Sequence, residues 1–133
     1  MAVFDTKTGL PMALAPDSSD TAALTVVCFC AAWCDTCGTF REGFERIAAA
    51  RPRAIFVWLD IEDDSAICGD IDIENFPTLA VYRGERLLHY GVSLPQEGTV
   101  ARLVDELATR TGIVADAPSP VLDLPRAIAQ AAR

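Results

Sequence analysis

The sequence has no apolar run approaching the ~18 residues of a membrane-spanning helix. Its first residues, Met1-Ala2-Val3-Phe4-Asp5-Thr6-Lys7, lack the basic start and apolar block of a secretory signal. Basic residues are scarce: 11 Lys and Arg stand against 19 Asp and Glu, for a formal net charge of −8. That balance argues against nucleic acid and anionic membranes as partners, because both require basic patches. From Asp60 to Glu74 there is no Lys or Arg, only Asp60, Glu62, Asp63, Asp64, Asp70, Asp72 and Glu74 among the charged residues. This run reads as a solvated loop and helix face, or as a negative rim that selects cationic partners. His89 is the only histidine and suits a sheet surface. No P-loop, dinucleotide fingerprint or paired-carboxylate site is present, and no cofactor is expected.

What the chain does have is cysteine, five residues in all, an odd count spaced unlike a disulfide framework. With no secretory signal the expected setting is a reducing cytoplasm, where a closely spaced pair is redox-active or metal-binding. The length of 133 residues suits one domain with a real core. That domain is placed at residues 1–113, with 1–23 weakly patterned by Gly9, Pro11 and Pro16 around one short strand. Asp17-Ser18-Ser19-Asp20 reads as a loop or helix start. Residues 114–133 read as a tail marked by Pro118, Pro120 and Pro125, in which Asp123 can cap a short helix carrying Leu124 and Ile128.

Between these ends the patterning is regular. Leu24–Cys30 reads as a buried strand. Phe40, Phe44, Ile47 and Ala48 share one face of a helix that Arg51-Pro52 ends. Ala54–Leu59 is apolar on both faces, as a central strand covered by helices should be, and a short helix follows near Asp64–Gly69. Phe76–Tyr82 and Arg86–Tyr90 flank Arg83-Gly84-Glu85 as a β-hairpin. Ser93-Leu94-Pro95-Gln96 has the form of a capping box, leading into a helix with the stripe Val100, Leu103, Val104 and Leu107 that closes near Gly112.

Cys34-Asp35-Thr36-Cys37 stands out. Two thiols three positions apart at a helix start can reach each other and close a small disulfide, and a helix N-terminus favours thiolate over thiol. Strand, short turn and helix place Cys34 at the exposed end of a sheet, where open α/β folds meet their ligands. On the residues alone the pair is also compatible with inert cysteines or a metal knuckle, Trp33 with a core tryptophan, and Pro77 with an ordinary turn proline. Cys28 and Cys30 alternate along the strand, so their side chains share a face. They read as small buried apolar residues, or with Cys28 beneath Cys37 and open to exchange. Cys68 reads as a structural thiol or as a regulatory one.

The order of these elements resembles the thioredoxin family over about residues 24–111. Two motifs carry the resemblance: Ala32-Trp33-Cys34-Asp35-Thr36-Cys37, and Phe76-Pro77-Thr78, with Pro77 lying 43 positions after Cys34. The resemblance implies an α/β three-layer sandwich, with a central mixed sheet of four to five strands and helices on both faces. It implies that Cys34 attacks a substrate disulfide and that Cys37 resolves the mixed disulfide. It also implies that Trp33, Phe76, Pro77 and Gly91 shape the substrate groove, with a cis Phe76–Pro77 bond that presents the Phe76 backbone and blocks metal capture. Asp35 and Thr36 occupy the dipeptide that tunes the reduction potential in this family. The implied function is reduction of protein disulfides by a monomer supplied with electrons by an upstream thiol reductase.

Departures from the family pattern accompany the matches. The position of the family's buried Asp holds Cys28, its partner lysine falls at Trp58, Cys30 takes an aromatic position, and Glu42 replaces the proline that kinks the helix. They put efficient turnover in question and favour, as an alternative, a protein-binding or chaperone-like module that keeps the groove. A site joining Cys28, Cys30, Cys34 and Cys37 around a metal is disfavoured by strand alternation and by Pro77.

Overall fold

The computed structural model describes residues 3–11, 23–31, 33–110 and 114–132. The loop or helix start expected at residues 17–20 and the helix end expected near Gly112 lie outside them. Five strands, β1 (Val3–Phe4), β2 (Thr25–Cys30), β3 (Ile55–Asp60), β4 (Thr78–Arg83) and β5 (Arg86–Val92), form one mixed sheet in the order β1-β3-β2-β4-β5. β3 runs parallel to both β1 and β2, while β4 is antiparallel to β2 and β5. The central strands are rich in β-branched and aromatic residues, and β2 and β4 are buried along their whole length, as strands covered on both faces should be.

Alternation along the strands builds two cores. Val26, Cys28 and Cys30 of β2, Phe56 of β3 and Leu79 and Val81 of β4 face α1 (Asp35–Ala49) and, further along the chain, the helix Glu97–Thr109. Phe44 of α1 anchors this layer, with its ring centroid 5.5 Å from Phe56 and 5.6 Å from Trp58. Val27, Phe29, Val57, Leu59, Ala80 and Tyr82 face the opposite way, into a second core. This core is closed by α2 (Ser65–Cys68) and by two C-terminal helices. With α3 assigned to Glu97–Thr109, those two are α4 (Ser119–Leu122) and α5 (Leu124–Ala131). The result is the three-layer α/β sandwich expected from the resemblance.

The segment read from sequence as a tail with one short helix contributes both closing helices, and α5 is the helix read there, with Asp123 at its N-cap position. The Ala115 N–H donates to the Leu87 carbonyl at 2.8 Å, and the fully buried Tyr82 hydroxyl donates to the Val121 carbonyl at 2.6 Å. Val121, Leu124 and Ile128 are buried against the sheet. At the same end of β4, the Arg83 guanidinium donates to the carbonyls of Arg110 (2.8 Å) and Leu107 (3.2 Å), satisfying carbonyls at the end of α3. Gly84, at φ +62°, makes the hairpin turn between β4 and β5.

The capping box read at Ser93 does not form. The Ser93 N–H donates to the Pro77 carbonyl at 3.0 Å, and its hydroxyl turns to the Leu94 carbonyl. Ser93 is thus tied to the residue that precedes β4, and the helix starts later, at Glu97, with Gln96 at the N-cap position.

Candidate active site

Cys34 is the N-cap residue of α1, with extended backbone (φ −90°, ψ 112°) and no capping hydrogen bond from its side chain. It is half-buried and packs against the first core. The Cys34 N–H donates to the Ala31 carbonyl at 3.0 Å, closing the tight turn from β2 into the helix, and the Cys34 carbonyl accepts from the Gly38 N–H at 3.2 Å. Asp35 and Thr36 form the exposed first turn, where the Asp35 carboxylate lies at the favourable end of the helix dipole. Cys37, one turn in, faces the sheet and is only 2% exposed.

The pairing of these sulfurs differs from the sequence expectation. Cys37 is bonded to Cys30 on β2, across a Cα–Cα distance of 5.8 Å, while Cys34, Cys28 and Cys68 are free. The physical reason is direction. The third residue of α1 points inward over the C-terminal end of β2, and Cys30, whose side chain is on that face, lies within the range a disulfide spans. Cys30, read as a small buried apolar residue, is therefore part of the redox constellation. The Cys28 and Cys30 sulfurs are 3.9 Å apart, and since bonded Cys30 carries no proton, the Cys28 thiol is the donor of that contact. Full burial drives the Cys28 thiol well above its usual range, only slightly opposed by Arg41, so Cys28 stays protonated.

Trp33, next to Cys34 in the chain, meets the loop that carries Pro77, while Gly91 lines a separate cleft. The Phe76–Pro77 peptide bond is cis. Phe76 meets Trp33 edge-on, with ring centroids 5.5 Å apart, and Trp33 is 63% exposed. The Trp33 indole N–H donates to the Glu62 carboxylate at 2.8 Å, which fixes the ring over the loop after β3. Thr78 donates its hydroxyl to the Asn75 carbonyl at 2.7 Å and so braces the turn that carries Pro77. Gly91 lies on β5 opposite Leu79, and together with Thr78, Tyr90 and Asp72 it lines a cleft of ≈ 220 Å³. Glycine there leaves the cleft open, since an added Cβ would meet only the His89 imidazole, at 3.9 Å. Burial pushes His89 below its usual range, so the ring stays neutral at pH 7.

Behind the cysteines lies a polar assembly that sequence reasoning missed. Trp58 is the register partner of Cys28. The Arg41 guanidinium from α1 covers the Trp58 ring, 5.0 Å from its centroid, and pairs with Asp5 at 3.1 Å. Asp5 also accepts from the Lys7 and Thr8 N–H groups and from the Thr8 hydroxyl. Burial would raise the Asp5 carboxyl, but the Thr8 hydrogen bonds and then Arg41 outweigh it and hold Asp5 below the usual carboxylate range. A cavity of ≈ 300 Å³ runs between Asp5, Arg41, Trp58 and Asp60 to Cys37. No local spacing links Asp5 to Arg41, 36 positions away, so the sequence carries no signal of the pair.

The acidic stretch is in part structural. Asp64 is buried, accepting the Thr6 hydroxyl at 2.7 Å and the Asp60 N–H at 2.8 Å. Asp60 accepts the N–H groups of Glu62 and Asp63. Cys68 on α2 is buried, and burial, followed by the charges of Asp64 and Asp60, pushes its thiol up to about 12. Such a thiol is not a nucleophile near neutral pH.

Comparison with known proteins agrees with this geometry. The thioredoxin family model matches residues 17–106. Thioredoxin of Ophiophagus hannah is 27% identical over 66 residues, covering 50% of this chain and 63% of that protein. Thioredoxin-like protein CXXS1 of Oryza sativa subsp. japonica is 26% identical over 88 residues, 65% of each chain. The present chain thus spans slightly less than two thirds of the length of these relatives. Among solved structures, thioredoxin from Trypanosoma brucei brucei superposes with a TM-score of 0.60 at 25% identity, covering 73% of this chain and 80% of that one. Oxidised thioredoxin from Plasmodium falciparum gives 0.56 at 21% identity, covering 70% and 89%, a likeness of fold. Family and bonded cysteine pair together point to thiol–disulfide redox chemistry in general. No helix among the described residues is long and apolar enough to cross a membrane. Through its sheet order, its Trp-Cys-x-x-Cys turn and the family match over residues 17–106, the chain belongs to the thioredoxin family.

Proposed function

We propose that the protein is a thiol–disulfide oxidoreductase that reduces protein disulfides, with Cys34 as the attacking thiol and Cys37 as the resolving thiol. The observation that carries this reading is the free, partly exposed Cys34 at the N-cap of α1, one turn from Cys37 and beside the Trp33–Phe76 pair. In the reduced protein the Cys34 sulfur, partly exposed at the start of α1, attacks a substrate disulfide as its thiolate. A mixed disulfide forms and one substrate sulfur leaves as thiolate. Cys37 then attacks the Cys34 sulfur, and the second substrate sulfur departs. Trp33, Phe76, Pro77 and Gly91 line the path of the substrate strand, and Asp35 and Thr36 tune the couple. The substrate is a protein disulfide, the electrons come from an upstream thiol reductase, and a monomer in a reducing cytoplasm suffices.

The test is insulin reduction driven by dithiothreitol. Wild-type protein is expected to accelerate it, and Cys34→Ser to abolish the acceleration. Cys37→Ser is expected to accumulate mixed disulfides that Cys34→Ser does not form. Equal trapping by both variants, or by neither, would overturn the assigned roles. A binding module that keeps the groove is the second reading. It is favoured by Cys28 and Trp58 standing where the family has its buried Asp and lysine, and by Cys37 being held by Cys30. Absence of any rate above background, from protein whose thiols titrate normally, would select it.

A further inference from the structure

We propose that Cys30 is a third redox residue, which takes over the bond to Cys37 and returns Cys34 to the free thiol within the oxidised protein. The inference rests on the reading of Cys34 and Cys37 as nucleophile and resolver and extends it to the strand beneath them. Three observations carry it. First, Cys37 is bonded to Cys30 while Cys34 is free, so the structure holds the state the relay ends in. Second, Cys34 and Cys37 occupy the N-cap and third positions of α1, three residues apart, the spacing at which side chains along a helix are neighbours. Cys37 is therefore within reach of a sulfur on either side and acts as the pivot. Third, the Cys28 thiol donates to the Cys30 sulfur at 3.9 Å, so a thiolate forming on Cys30 has a proton donor beside it.

The step balances without an external oxidant. Turnover leaves a Cys34–Cys37 disulfide and a Cys30 thiol. The Cys30 sulfur attacks the Cys37 sulfur, the Cys30–Cys37 bond forms, the Cys34–Cys37 bond breaks, and Cys34 leaves as a thiolate that takes up the proton Cys30 gave up. In the reverse direction Cys34 attacks Cys37, and Cys30 departs as the thiolate that Cys28 stabilises. One disulfide exists before and after, so nothing is oxidised or reduced overall.

The relocation matters because of exposure. Cys30 and Cys37 are 1% and 2% exposed, whereas Cys34 is half-buried at the groove. A reduced substrate just released could attack Cys34 in a Cys34–Cys37 disulfide and reverse the reaction. Once the bond has moved inward that attack has no accessible sulfur. The relay would therefore bias the site toward reduction, with recharging beginning by return of the bond to Cys34.

Differential alkylation tests this. Wild-type protein is oxidised by stoichiometric insulin disulfide, quenched in acid, and labelled with N-ethylmaleimide. It is then reduced and labelled with a second maleimide, and each cysteine is read by fragment mass spectrometry after cleavage before Asp35. The expected result is the first label on Cys34 and the second on Cys30 and Cys37. In Cys30→Ala the first label on Cys34 is expected to be lost, because only the Cys34–Cys37 bond remains available. Cys30→Val gives the same reading where the smaller side chain impairs folding. If oxidised wild-type Cys34 is as protected as in the Cys30 variants, the relay is overturned, even though insulin reduction and the reading of the site stand. If oxidant alone produces the Cys30–Cys37 pattern in a protein that cannot reduce insulin, the relay geometry is supported and the reductase reading falls.

Discussion

Arg41 couples three features of this chain through one side chain. Its guanidinium covers the ring of Trp58, pairs with Asp5, and lies beside the cavity that reaches Cys37. Arg41→Ala removes a cation–π contact and a partly buried ion pair, a loss of about 1–2 kcal/mol in unfolding free energy by urea titration at pH 7. Arg41→Lys is expected to restore only part, because an ammonium cannot lie flat on the indole and reach Asp5 as the guanidinium does. The pH dependence has a definite sign. The folded Asp5 carboxyl is depressed, so its contribution is present above the unfolded value of about 3.9 and is lost as pH falls through the folded value. The gap between wild type and Arg41→Ala should therefore narrow in acid. A gap unchanged between neutral pH and ~pH 3 would show that Asp5 is not its source. None of this was legible in the sequence, because Asp5 and Arg41 are brought together only when β1 docks beside β3. Cys34, Trp33, Phe76 and Pro77 were legible because adjacent residues and motif spacing carry their relationship. Cys30 was visible as buried, yet its bond was not, since choosing between Cys30 and Cys34 as partner requires knowing where the third residue of α1 points.

At the scale of elements, local pattern served well wherever an element is long and its neighbours demand a regular face. β2, α1, β3 and the β4–β5 hairpin follow their hydrophobic periods closely. α5 is the short helix read at Asp123, Leu124 and Ile128, whereas α4 escaped because Pro118 and Pro120 read as punctuation of a tail. Pro120 and Pro125 instead occupy opening positions of helices, where the missing N–H costs nothing. The capping box at Ser93 failed for the converse reason: a tertiary hydrogen bond to Pro77 outcompeted a local one. Both C-terminal helices lie beyond residues 17–106 matched by the family model, yet they close the second core. Leu124 is fully buried there. Leu124→Ala should cost about 2–5 kcal/mol, the range for a large-to-small change in a core, read as a lowered midpoint in chemical denaturation. A change under ~0.5 kcal/mol, typical of surface substitutions, would mean that α5 only decorates the sheet. The active-site face is covered by α1 and α3, so reactivity of Cys34 toward a small disulfide should survive in the folded fraction of this variant.

For the molecule as a whole, charge decides which partners approach the groove. The net charge is −8, and acidic residues neighbour several of the candidate site residues. Glu62 holds Trp33, Asp35 follows Cys34, and Asp72 lines the cleft beside Gly91. Asp64 is occupied internally and contributes to the fold, but Glu62, Asp63, Asp70, Asp72 and Glu74 are exposed. A field of one sign over an open groove raises the encounter rate of opposite charges and lowers that of like charges. Cystamine, a dicationic disulfide, should therefore react with Cys34 faster than the dianionic dithiodiglycolate, by about tenfold at low ionic strength, the lower end of electrostatic steering. The ratio should fall toward one as salt shortens the screening length to about 3 Å near 1 M. Because the two reagents present the same disulfide chemistry, comparing each rate with its rate against free cysteine removes intrinsic reactivity. Glu62→Gln combined with Asp72→Asn should shrink the ratio without changing the number of reactive thiols. Equal corrected rates at low salt would mean that the acidic run serves only the fold, through Asp60 and Asp64, and that substrate choice lies in the contacts of Trp33 and Phe76.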